Sequence, residues 1–172
     1  MKRGFVQIYT GDGKGKTTAA LGLALRASGH GLRVYIGQFM KGQVYGERIA
    51  LEGNDRIVLE PYGDPRCIRR EEVTPEHVER ARRGLARARE AMESGRFDIV
   101  VLDEANVAVW FGLLAVEDLL DFLDHRPEGV EVVLTGRKAP PELIARADLV
   151  TEMREIKHYY RDGVTARDGI ER

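Results

Sequence analysis

The chain has 172 residues, with 27 basic against 28 acidic side chains and a formal charge of -1, so one domain with a real core is expected and a general electrostatic grip on nucleic acid or anionic membrane is excluded. Cys67 is the only cysteine, which excludes an intrachain disulfide and a zinc site built from cysteines and suits a reduced compartment. No apolar run approaches the ~18 residues of a membrane span, and the four residues before Phe5 are too few for a signal-peptide core; a soluble, cytoplasmic single domain over residues 1–172 is expected.

In chain order, apolar and β-branched runs at 5–9, 33–39, 57–60, 98–103, 130–135 and 149–153 read as strands. Helical segments alternate with them. Residues 16–28 begin with good helix formers and stop at Gly29 and Gly31. Thr74 supplies an N-cap and Pro75 the first helical position of a second helix, whose Val78, Ala81, Leu85, Ala88 and Met92 recur at steps of three and four until Gly95. Shorter helices are expected at 116–123 and 141–147. Strands that alternate with helices imply right-handed crossovers and a mostly parallel sheet covered on both faces. The unbroken apolar run 99–102 suits a central strand. Residues 61–74 form the longest irregular stretch, of a kind that often carries function.

The first strand runs into Thr10, Gly11, Asp12, Gly13, Lys14, Gly15, Lys16 and Thr17, followed by Thr18 and an alanine-rich helix. The last three positions of a G-x-x-x-x-G-K-[ST] phosphate loop are present, while Thr10 replaces the first glycine. The glycines let successive amides turn toward phosphate oxygens, Lys16 adds a point charge, and the helix start favours an anion. The Thr17 hydroxyl is placed to reach a magnesium ion. An acidic partner strand should end in a carboxylate, and Ile99–Asp103 followed by Glu104 fits, with Asp103 or Glu104 holding the metal directly or through water. Ligands of parallel sheets lie at the carboxyl ends of strands, so Arg137, just past the 130–135 strand, should face the same crevice. Gln38 and Lys41 end the second strand and are placed to reach it too. The expected fold is α/β, a P-loop NTPase-like (RecA-like) three-layer arrangement. The arginines of the long helix pair with glutamates four residues away and read as a solvated face.

A phosphate loop does not name a reaction. Taken together, GDGKGKTTAA at 11–20, LRASGHG at 25–31, QFMKG at 38–42 with GER at 46–48, VLDEAN at 101–106, LTGR at 134–137, ADLVTEMR at 147–154, IKH at 156–158 and ARDGIE at 166–171 resemble the P-loop corrinoid adenosyltransferases, the ATP:cob(I)alamin or cob(I)yrinic acid a,c-diamide type. The likeness spans nearly the whole chain. It implies transfer of the 5'-deoxyadenosyl group of ATP to Co(I) of a reduced corrinoid, with loss of the whole triphosphate and with Mg2+ or Mn2+ assisting. Co(I) is then the nucleophile, so the protein supplies position and charge. By the same resemblance Lys14, Lys16, Arg137 and the metal on Thr17 and Glu104 stabilise the departing triphosphate, Arg26 is a nucleotide contact, the corrinoid is a visiting substrate, an electron donor of flavoprotein type is a partner, and the chain forms a homodimer. The rival readings are a phosphoryl-transferring ATPase or kinase and a nucleotide-dependent corrinoid-binding module.

One segment departs from the family pattern. Members carry an aromatic Gly-Phe-Thr-Trp-type segment after the third strand, whereas residues 63–69 here contain no aromatic after Tyr62. Either Tyr62 or Ile68 is then expected to offer apolar surface to the corrin, or the loop suits a less complete corrinoid.

Overall fold

The computed structural model describes residues 2–43 and 45–171. Its six strands are β1 (Val6–Thr10), β2 (Val34–Gln38), β3 (Ile57–Pro61), β4 (Ile99–Asp103), β5 (Glu131–Thr135) and β6 (Leu149–Glu152), in the sheet order β3-β2-β4-β5-β1-β6. Every pairing is parallel. β2, β4 and β5 are buried along their whole length, for β4 as its continuous apolar run predicts, while edge strand β6 is exposed throughout.

Alternate residues of each strand feed two cores. Tyr35, Val100, Leu102, Val132 and Leu134 pack with Ala81, Leu85, Ala88 and Met92 of α3 (Pro75–Glu93) and with Leu119, Phe122 and Leu123 of the later helix Val116–Asp124. Val34, Ile36, Ile99, Val101 and Val133 pack instead on Ala20, Ala24 and Ala27 of α1 (Lys16–Gly29). The small alanine face lets α1 lie close to the sheet. The result is the expected three-layer α/β fold with helices on both sides.

Two short helices lie in segments where no helix was expected: α2 (Gly46–Ala50) and α4 (Ala105–Trp110). Five or six residues are too few to display a helical period. The remaining helices are α5 (Val116–Asp124) and α6 (Pro141–Arg146). At the start of α3 the Thr74 backbone N–H donates to His77 Nδ1 at 3.0 Å, closing the first turn, and Gly95 at φ 67° follows its end.

Candidate active site

The loop between β1 and α1 is folded against the chain that leaves β6. Gly13 N donates to Met153 O at 2.7 Å and Met153 N donates to Thr10 O at 2.8 Å. A Cβ on Gly13 would stand 2.7 Å from that same Met153 oxygen, so the close approach requires glycine. Gly15, at φ 116°, turns the loop into α1. The Lys16 ammonium is curled beneath the loop, donating to Gly11 O at 2.8 Å and Gly13 O at 2.6 Å. Burial lowers its pKa, with Arg137 acting in the same direction and Glu104 opposing.

Asp103 is the hub beside this loop. Its side chain is 1% exposed yet fully engaged: Oδ1 accepts from Thr17 Oγ1 at 2.9 Å and from Thr135 Oγ1 at 2.7 Å, and Oδ2 accepts from Gln38 Nε2 at 3.1 Å and pairs with Lys41 Nζ at 3.5 Å. The topology explains the convergence. β4 lies between β2 and β5, so the carboxyl ends of both neighbours deliver Gln38 and Thr135 to Asp103, and α1 delivers Thr17 from above.

Glu104 follows at φ 61°, a left-handed conformation held by its N–H donating to Thr135 Oγ1 at 2.9 Å. That turn separates the two carboxylates and aims Glu104 at the crevice. Burial raises its pKa, and the Asp103 charge raises it further against the opposing pull of Lys41, Lys16 and Arg137. Lys41 also pairs with Glu47 of α2 at 3.1 Å. Burial alone would lower the Lys41 pKa, but Asp103 and Glu47 raise it above its ordinary value.

These groups surround a cleft of about 570 Å³, whose lining includes Gly13, Gly15, Lys16, Thr17, Lys41, Glu104 and Arg137. Lys14 and Thr18 line it too. Thr10 is buried under the loop, where its hydroxyl accepts from Ala139 N at 3.4 Å. Asp12 points instead into a neighbouring hollow shared with Arg137, Arg154 and Arg161. Arg26 is exposed, ten residues along α1 from Lys16, and is absent from the cleft lining. Lys41 lines the crevice, Gln38 is buried behind it on Asp103, and Phe39 is core at 1% exposure.

Sequence reasoning did not single out Glu47 or Trp110. Glu47 sits in a helix too short to announce itself. The Tyr62 ring packs against Gly84 of α3 and Phe39, and its hydroxyl donates to Glu60, so it is committed to the α3 side of the sheet. The 61–74 segment also meets an exposed aromatic surface, Trp110, 44% exposed, with the Arg70 guanidinium 5.5 Å from its ring centroid. A tryptophan seven residues past β4 has no link to residue 70 in sequence.

The family model describing ATP:corrinoid adenosyltransferase BtuR/CobO/CobP matches residues 2–172. A corrinoid adenosyltransferase of Sinorhizobium sp is 37% identical over 178 residues, covering 99% of this chain and 81% of that protein. Those of Escherichia coli K12 and Salmonella typhimurium LT2 are 34% and 35% identical, each covering 99% of this chain and 86% of the relative. Among solved structures, the flagellar accessory protein FlaH of Methanocaldococcus jannaschii superposes with a TM-score of 0.56 at 13% identity, over 88% of this chain and 72% of its own; that likeness concerns fold alone.

Proposed function

This chain belongs to the ATP:corrinoid adenosyltransferase family, and from that premise we propose how its residues divide the work. It is a transferase that moves the adenosyl group of ATP to a corrinoid in cobalamin metabolism. The Co(I) electron pair forms a bond to the C5' carbon of ATP, the C5'–O bond breaks, and that bonding pair leaves on the triphosphate. No side chain needs to act as nucleophile.

The observation that carries the assignment of residues is the convergence of Lys16, Lys41 and Arg137 on the one cleft that also holds Thr17 and Glu104. The loop amides and Lys16 bind the triphosphate, and Lys41 and Arg137 stabilise the charge that grows on it as C5'–O breaks. Arg137 has no ion-pair partner among the described residues, which leaves its charge for the substrate.

A magnesium or manganese ion fits beside Thr17, Asp103 and Glu104. The cleft offers the Thr17 hydroxyl, oriented by its bond to the fully engaged Asp103, and the Glu104 carboxylate, whose pKa burial raises in a way that a divalent charge would offset. No group of three or more His, Cys, Asp or Glu side chains suited to a metal occurs among the described residues, and a magnesium ion held by one or two protein groups would take substrate phosphates as further ligands. When bound, the ion neutralises charge on the triphosphate.

The corrin lies against Arg70 and Trp110, where the 61–74 segment meets α4. The chain acts as one cytoplasmic domain, as a homodimer, and receives cobalt reduced by a flavoprotein-type donor. No helix among the described residues is long and apolar enough to cross a membrane.

Incubation with magnesium-ATP and a chemically reduced corrinoid tests the reading. Multiple-turnover release of triphosphate with a light-sensitive cobalt–carbon product is expected. ADP and phosphate in their place would make the protein a phosphoryl transferase, and tight binding without turnover would make it a binding module.

A further inference from the structure

We infer that Glu171, Tyr159 and Arg167 are positioning residues for the nucleotide: through Lys14 of the phosphate loop they dock the C-terminal segment 158–171 as a wall of the triphosphate cleft. The inference rests on the reading of that cleft as the ATP site.

An ammonium has three protons to donate, and all three acceptors that Lys14 Nζ contacts are in the C-terminal segment: Tyr159 Oη at 3.2 Å, Ile170 O at 3.0 Å and Glu171 Oε1 at 2.8 Å. Its donors are thereby directed to the C-terminal segment, whereas Lys16 Nζ stays within the loop, bonded to Gly11 O and Gly13 O. The phosphate-ligand role that the family resemblance implies for Lys14 gives way to an anchoring role.

The segment presents Lys14 with a prearranged receptor. Glu171 accepts from the Tyr159 hydroxyl, from Arg167 N at 2.9 Å and from Arg167 Nη2 at 3.3 Å, and Glu171 N donates back to Arg167 O at 3.0 Å. The Arg167 guanidinium lies 4.8 Å from the Tyr159 ring centroid, locking the two ends of the segment together. Two cations, Lys14 and Arg167, share the single Glu171 carboxylate, so the cluster does not place net negative charge beside the triphosphate. The docked segment lines the cleft with His158, Gly169, Ile170 and Glu171, facing Gly13–Thr18. His158 is fixed in turn, its Nδ1 accepting from Tyr160 N at 3.1 Å. A wall tied to the loop through Lys14 lets the loop and the wall bind nucleotide as one unit, and loosening that tie should weaken ATP without touching the corrin side near Trp110.

The test compares Tyr159→Phe, Glu171→Gln, Lys14→Ala and the Lys14→Ala/Glu171→Gln double variant. For each, ATP affinity is measured by direct titration, KM is measured for both substrates, and hydrogen exchange is followed across 158–171. Each single change is expected to weaken ATP roughly three- to tenfold, to leave the corrinoid KM unchanged and to speed exchange in the segment. The double variant should be no worse than Lys14→Ala, because both changes break one link. Weakened ATP binding in Lys14→Ala alone, with Tyr159→Phe and Glu171→Gln unchanged, would return Lys14 to the triphosphate and overturn the proposal. So would additive effects in the double variant, or a shift in the corrinoid KM instead. Because the decisive quantity is ATP affinity, a wild-type protein that binds ATP without making a cobalt–carbon bond would contradict the assigned reaction and still decide the role of the segment.

Discussion

Thr17 Oγ1 donates to Asp103 Oδ1 at 2.9 Å, tying the first turn of α1 to the end of β4. The bond fixes the spacing between the loop proposed to bind phosphate and the strand that ends at Asp103. Replacing Asp103 by Ala should therefore damage stability and chemistry together. Thr17, Thr135 and Gln38 would lose their acceptor and Lys41 one of its counter-charges, for a cost of about 3–5 kcal/mol. Denaturant unfolding would measure the loss, and nucleotide titration should show weaker metal-ATP binding.

Glu104→Gln separates the two effects. Burial disfavours the charged carboxylate here, so the variant should be at least as stable as wild type in a thermal melt. Turnover should fall by about 10²–10³, as for loss of one preorganised electrostatic group, with the dependence on added magnesium weakened. A variant that kept full turnover would remove Glu104 from the metal site.

Gly84 lies in the interior of α3, where alanine would ordinarily add about 1 kcal/mol of helix propensity. Its Cβ would stand 2.6 Å from Tyr62 Cγ and 3.0 Å from Tyr62 Cβ, the rigid base of that side chain. Gly84→Ala should therefore destabilise the protein by about 1–3 kcal/mol, the usual cost of overpacking. Calorimetry gives the sign directly, and a higher melting temperature would contradict the packing argument.

Trp110 is the chain's single tryptophan, and its exposed ring under Arg70 is the aromatic surface proposed for the corrin. Trp110→Ala should raise the corrinoid KM about tenfold, within the range expected for losing a large aromatic contact. Trp110→Phe should restore most of the affinity, and the KM for ATP should stay unchanged in both.

Alkaline pH should expose the polar cluster on the α3 side of β2. Burial pushes the Tyr35 phenol well above its ordinary pKa, and hydrogen bonds with Tyr62 and Glu60 raise it further. The folded state thus keeps a proton that the unfolded chain gives up near pH 10. Its contribution is fully present below that value and is lost as pH rises above it, at a limiting slope of about 1.4 kcal/mol per pH unit. Tyr35→Phe removes this dependence, so its stability curve should fall less steeply in alkali than that of the wild type.

Much of this was legible in the sequence because its signals are local. A strand, a glycine loop, Lys16-Thr17 and an alanine face are contiguous, so chain order alone marks the candidate phosphate loop at the start of α1. The unbroken apolar run of β4 likewise marks a central strand, and the three-four spacing from Ala81 to Met92 marks the buried face of α3. Four further features depended on contacts between residues far apart in the chain. Asp103 became a hub because the sheet order sets β4 between β2 and β5, bringing Gln38 and Thr135 to one carboxylate. Glu104 was aimed at the cleft by a left-handed turn held by Thr135, a conformation that no residue-type preference dictates for glutamate. Tyr62 packs on α3 because Gly84 leaves room for its ring, and the 61–74 segment meets Trp110 through Arg70. Lys14, one of the loop's two lysines, went to the C-terminal segment more than 140 residues away. Local sequence fixes which backbone can cradle an anion, while the partners of each charged side chain are set by which distant strand ends the fold brings within hydrogen-bond reach.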